Sequence, residues 1–229
     1  MTQSGTAASG TRQRRSQARI NRNRIIEAAI SAFAADPDAS MDDVAKAAGV
    51  VRRTVYAHFE SREALINGIV DEASADLVTA LQGAGEPPER PDVATAVLAL
   101  LAWPVGDRFR VLLNFARREL GEQRIFELME PARALSVEVM ERGQRDGTFS
   151  TYLPAETLVA MTEAITITLF DQANSGVITD SGESFAIACL VLAGISPDRS
   201  VEVVVEAATW IRESTTGSRE LPTPVRPAD

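Results

Sequence analysis

Apolar residues in this chain recur every three or four positions, and no stretch shows convincing two-residue alternation. That period is the mark of amphipathic helices, so the pattern predicts an all-α protein. Over residues 21–35, Ile25, Ile26, Ala29, Ile30 and Phe33 fall on one face, and Asp36-Pro37-Asp38 ends the segment. A short helix follows from Ser40, whose hydroxyl can cap it together with Asp43 three residues on. Val44, Ala45 and Ala48 form its narrow apolar edge, and Gly49 can end it in the left-handed conformation. Val50 and Val55 then seal a second short helix against the small Ala45. Ile26, Ile30 and Phe33 are expected to form the floor beneath this pair, and Phe59 closes the three-helix core. Ser61 caps a fourth helix that carries Leu65, Ile66, Ile69, Val70, Ala73, Leu77, Val78 and Leu81. After a breaker-rich loop at 83–91, helices are predicted near 92–103 (ending by Pro104), 107–120, 123–145, 154–174, 183–193 and 198–212. Pro131 is expected to kink or divide the long one.

The pair of short helices around Gly49 carries the chemistry. Ala45-x3-Gly49-Val50-x4-Val55 has the spacing of a helix-turn-helix, a tight turn between two steeply crossing helices. The outer face of the second helix holds Arg52, Arg53, Thr54, Tyr56 and His58. Arginine can bridge O6 and N7 of guanine or pair with phosphate, and Thr, Tyr and His can donate to phosphate oxygens. A solvated helix face with two incidental arginines is the bland alternative; the full spacing with polar donors favours DNA. Arg62, at the start of the fourth helix, could meet a phosphate. Arg12, Arg14, Arg15, Arg19, Arg22 and Arg24 form a basic arm ahead of the motif, suited to phosphates or a minor groove.

Charge changes the picture only when it is divided. The net charge of −9 argues against a nucleic-acid partner. Residues 1–62, however, carry +4 and residues 63–229 carry −13. A basic head on an acidic body orients the molecule toward DNA.

At residues 50–65, VVRRTVYAHFESREAL, the chain resembles the tetracycline-repressor (TetR) family of bacterial regulators. The family pattern is close to V-S-x-x-T-hydrophobic-Y-x-H/Y-F-x-S-K-E-x-L. Val50, Thr54, Tyr56, His58, Phe59, Ser61, Glu63 and Leu65 match it. Arg62 stands for a common Lys and keeps the charge. Val51 stands for the common Ser and removes a helix cap and a phosphate donor. The strong resemblance covers roughly residues 20–81. It implies a three-helix helix-turn-helix DNA-binding domain followed by a helical ligand-binding and dimerisation domain, with the fourth helix joining the two.

On that basis the chain divides into a disordered basic arm (1–18), a DNA-binding domain (19–66, motif about 40–59), a regulatory body (67–214) and a disordered tail (215–229). Two late helices from each subunit are expected to form a four-helix bundle in a homodimer, with Leu158, Met161, Ile165, Leu169, Ile187, Leu190 and Val191 as interface candidates; packing within one subunit explains them equally well. Two recognition helices spaced by the helical repeat give the specificity one short helix lacks. Large apolar residues of the middle helices, Trp103, Phe109, Phe115, Phe126, Met129 and Phe170, with Asn114, Arg117 and Gln144 as polar partners, are candidates for a small-molecule pocket. The expected function is a dimeric repressor released from a palindromic operator by an apolar or amphipathic ligand. A ligand-independent architectural protein and a transcriptional activator are the alternatives. One His on the recognition helix and one Cys in an apolar run leave no catalytic constellation and no Cys/His zinc site, so neither enzyme activity nor a cofactor is expected. The apolar runs are too short to span a bilayer and no secretory signal is read, which predicts a cytoplasmic protein.

Overall fold

The computed structural model describes residues 5–83 and 85–217, with side chains from residue 17 to residue 214 except those of Ala84, Val111 and Asn114. Among the described residues the chain forms nine α-helices and no strand. They are α1 (Gly5–Ala35), α2 (Met41–Ala48), α3 (Arg52–His58), α4 (Arg62–Gly83), α5 (Pro91–Leu120), α6 (Glu122–Asp146), α7 (Ala155–Asn174), α8 (Glu183–Leu192) and α9 (Pro197–Gly217).

Three boundaries differ from the sequence pattern. Helix α1 begins at Gly5, well before the apolar stripe that places its start near residue 21. Its first half is rich in Ala, Arg and Gln, good helix formers that need no buried face to propagate from a formed helix. The side chains of Arg12, Arg14 and Arg15 and the residues from 218 onward lie outside the described residues. Pro104 does not end a helix but sits inside α5. Proline removes one backbone donor; buried Trp103 on one side and Phe109 and Leu112 on the other hold the helix across that gap. Pro131 likewise lies within a continuous α6.

The chain divides into two compact units. Unit 1 comprises residues 1–73 and 111–128, and unit 2 comprises 74–110 and 129–229. Helices α4, α5 and α6 therefore contribute residues to both. The expected head ended at residue 66. The unit extends further because Phe115 of α5 packs its ring 5.4 Å from that of Phe33, and Arg124 of α6 bonds Asn67 at 3.2 Å and pairs with Asp71.

In unit 1, Ile25, Ile26, Ala29 and Phe33 of α1 are buried with Val44, Ala45 and Ala48 of α2, Val55 of α3 and Phe59. Ile30, expected in the floor, is only half-buried; Ile25 takes that place and is fully buried. In unit 2, Trp103 packs against Phe170 and Phe185 with ring centroids 4.9 and 5.7 Å apart. Gly106 allows the Phe170 ring this approach, since a Cβ there would lie 2.1 Å from it. Gln144 closes the turn after α6 by donating to the carbonyls of Ser150 and Leu153, both at 2.9 Å. It is therefore engaged in a loop clamp and not in a pocket.

Candidate functional site

The helix-turn-helix is set up by its caps. Asp43 N–H donates to Ser40 Oγ at 3.2 Å, and Ser40 N–H donates back to Asp43 Oδ2 at 3.1 Å, a reciprocal capping box. The Ser40 hydroxyl, at 2.6 Å, and Lys46 Nζ, at 3.0 Å, also donate to that carboxylate. These bonds, that of the Ser40 side chain foremost, lower the Asp43 pKa from 3.8 to about 2. Gly49 ends α2 at φ 62°, and the Val50 amide donates to the Ala45 carbonyl at 3.0 Å. Arg24 of α1 donates to the Gly49 carbonyl at 3.2 Å, which ties the turn to the first helix. A Cβ on Gly49 would lie 2.7 Å from that guanidinium.

Helix α3 then buries Val55 and turns Arg52, Arg53 and Tyr56 outward; Thr54 and His58 are half-buried. Arg52 is not a loose side chain. It donates to Asp42 Oδ2 at 2.8 Å and to the Tyr56 hydroxyl at 3.4 Å, and its guanidinium lies 5.2 Å from the centre of the Tyr56 ring. The Tyr56 bond leads the interactions that raise its pKa, so it stays charged. Arg53 is exposed and makes no ion pair among the described residues. Val51 stands at the N-cap of α3 with extended backbone and no side-chain cap bond, and it is 68% exposed.

Two expected phosphate contacts point elsewhere. Arg62 donates to the Pro37 carbonyl and to Glu119 at 3.3 Å, and it lies over the rings of Phe33 and Phe115. The delocalised guanidinium is favoured there by the aromatic faces. Arg22 lies 5.3 Å from the centre of the Phe59 ring and 3.6 Å from Glu72. Both arginines bind unit 1 together, and neither presents a free guanidinium.

Unit 2 contains a cavity of about 70 Å³. Small residues open it: Ala99 and Ala102 from α5 and Ala132 from α6. Leu98, Met129, Met140 and Phe185 supply most of its remaining apolar wall, and Thr95 and Ser136 add hydroxyls. Its charged element is one ion pair: Arg133 Nε and Nη2 donate to the two oxygens of Glu163, each at 2.9 Å. Of the pocket candidates, Met129 lines this cavity. Trp103, Phe109 and Phe170 are buried in the surrounding core, because large rings fill space that small residues leave open. Phe115, Arg117 and Phe126 belong to unit 1 and are not among the residues that line this cavity; Arg117 is paired with Glu122 at 2.7 Å, and Phe126 is 48% exposed. The Asn114 side chain lies outside the described residues.

The interface candidates separate in the same way. Leu158 and Leu190 are fully buried within the single chain, which removes them from any surface. Met161 and Val191 are exposed, and Ile165, Leu169 and Ile187 are half-buried. Helical spacing alone gives each helix several faces to choose from, and burial selects the inner one. Asp42 and the Arg133–Glu163 pair are not singled out by the sequence, and Arg24 is read there only as part of the basic arm, because their partners lie ten to thirty residues away. The cavity had a signal: three alanines on helices that are otherwise rich in large residues.

No helix among the described residues is long and apolar enough to cross a membrane. Residues 25–69 match the model of the bacterial regulatory proteins of the tetR family. The chain is 38% identical over 61 residues to the uncharacterized HTH-type transcriptional regulator TtgW of Pseudomonas putida. That match covers 26% of this chain and 46% of TtgW, so the chain spans about half the length of the curated relative. The fold is similar to that of the fatty acid degradation regulator FadR of Bacillus halodurans, with a TM-score of 0.66 at 18% identity over 76% of this chain and 94% of FadR. It is also similar to LfrR of Mycobacterium smegmatis, a TetR-like regulator solved with proflavine, with a TM-score of 0.59 at 21% identity over 77% and 96%. The family likeness is thus carried by the N-terminal segment, residues 25–69.

Proposed function

We propose that this chain is a sequence-specific DNA-binding transcriptional regulator of the tetR type, a homodimeric repressor that a small apolar or amphipathic ligand releases from a palindromic operator. The observation that carries the reading is the capped helix-turn-helix with Arg52, Arg53 and Tyr56 outward on α3. Arg52 and Arg53 supply the base-reading or phosphate-binding charges, and Thr54, Tyr56 and His58 the donors that fix register. Arg62 and Arg22 act from behind, by holding α1 and α4 in place. Two copies are required because one seven-residue helix reads too few base pairs. Met161, Ile165, Leu169, Ile187 and Val191 are the interface residues of this reading.

The effector enters the cavity of unit 2. It acts through α4, α5 and α6, which run through both units, and it works only by binding one spacing of the heads better than another. A tenfold change in operator affinity needs about 1.4 kcal/mol of such preference. The deciding experiment is binding to the DNA flanking the protein's own gene, titrated with random competitor at several salt concentrations. Tight binding that survives competitor, with a footprint of two half-sites, is the expected result. Binding that competitor abolishes would remove the specific-regulator reading.

A further inference from the structure

We propose that the unit 2 cavity takes a small apolar molecule whose head is an uncharged or cationic hydrogen-bond donor, and that the Arg133–Glu163 pair makes it refuse carboxylates. The proposal rests on the effector reading above and assigns the chemical class of its ligand.

The argument begins with what Arg133 has left to offer. Its planar fork is the ordinary means of capturing a carboxylate. Here the edge formed by Nε and Nη2 is already filled by both oxygens of Glu163. The third nitrogen, Nη1, donates to Glu130 at 3.0 Å. Two acids face one guanidinium, so the local charge is −1. At the Nε–Nη2 edge an entering carboxylate would have to displace Glu163 and leave that acid, which is 16% exposed, without its partner; elsewhere on the guanidinium it would bring a third acid to one cation.

The spare capacity is on the acceptor side. Each Glu163 oxygen takes one bond from Arg133, while a carboxylate offers about four acceptor positions. An alcohol, a phenol or an ammonium can use the free positions without breaking the pair. The rest of the wall is mainly apolar with a few hydroxyls, and its two methionines are flexible enough to fit molecules of different outline.

Three probes with the same ring and different heads test this. Benzyl alcohol, benzylamine and benzoate are titrated calorimetrically into the full-length protein at neutral pH. The alcohol and the amine should bind at least tenfold more tightly than benzoate. Glu163→Gln should narrow or reverse that gap, since it frees one edge of Arg133. Ala132→Phe, which fills the cavity, should abolish binding of all three, and it decides the matter even if the Glu163 variant folds poorly. Benzoate binding as well as the alcohol in the wild type, no binding by any probe, or binding that survives Ala132→Phe would overturn the assignment. Operator binding is measured in parallel: a probe that binds but leaves operator affinity unchanged sinks the effector reading while the ligand class stands.

Discussion

Among single residues, the two arginines of α3 are not equivalent. Arg52 is held by Asp42 and stacked on Tyr56, whereas Arg53 projects without an ion pair among the described residues. A preorganised side chain loses less freedom on binding, which suits base reading. Arg52→Ala is expected to weaken operator binding by about 1–3 kcal/mol and to relax the preference at one base pair. Arg53→Ala is expected to weaken operator and random DNA alike and to lower the salt slope by about one. Competition binding at three salt concentrations separates these; an equal loss for both variants on both DNAs would contradict the division. Asp43 gives a pH-dependent test. Its folded pKa, about 2, lies below its ordinary value of 3.8. Its contribution to stability is therefore complete above about pH 4 and lost as the pH falls toward 2. The urea midpoint of the wild type should drop between pH 5 and pH 2.5 by more than that of Asp43→Asn. Parallel pH dependence in the two proteins would show that the capping box is not the titrating feature.

At the level of elements, the caps explain why some helices were legible and others were not. Helix α2 was written locally: Ser40, Asp43, Val44, Ala48 and Gly49 specify its start, buried edge and end within ten positions, and the structure uses each as the pattern implies. Helix α5 was misread at Pro104 because the proline is a local signal, while the burial that overrides it comes from residues elsewhere in the fold. The cavity was misjudged for a similar reason. Met129 lines it as expected, but the rings of Trp103, Phe109 and Phe170 fill the core, and the lining is completed by small residues and by an ion pair between positions thirty residues apart. Helix α3 lacks a side-chain cap, a consequence of Val51 that the sequence already indicated. Its extended backbone is that of an N-cap, so Val51→Ser should stabilise the protein by about 1 kcal/mol. Thermal melts would record this as a rise in Tm; an unchanged or lower Tm would mean that the serine makes no cap.

For the whole molecule, the feature that matters is that unit 1 is assembled from two separated stretches of chain. Phe115 is buried against Phe33 although more than eighty residues lie between them in sequence. Phe115→Ala should destabilise unit 1 by about 3–5 kcal/mol, the usual cost of removing a buried ring. Hydrogen exchange should show the loss in α1 and α2, far away in sequence; if protection falls only in unit 2, the packing of Phe115 on Phe33 does not support the head.

The same interleaving bears on how the protein is made. The ribosome delivers α1 to α3 first, yet the residues that complete their unit, 111–128, follow some time later. At typical synthesis rates of about 5–20 residues per second, the nascent recognition helix waits roughly 3–13 s for Phe115 and Arg124 to emerge. The newborn head is thus unfinished throughout that interval, and on the proposed reading its grip on DNA is completed by the middle of the chain and not by its beginning.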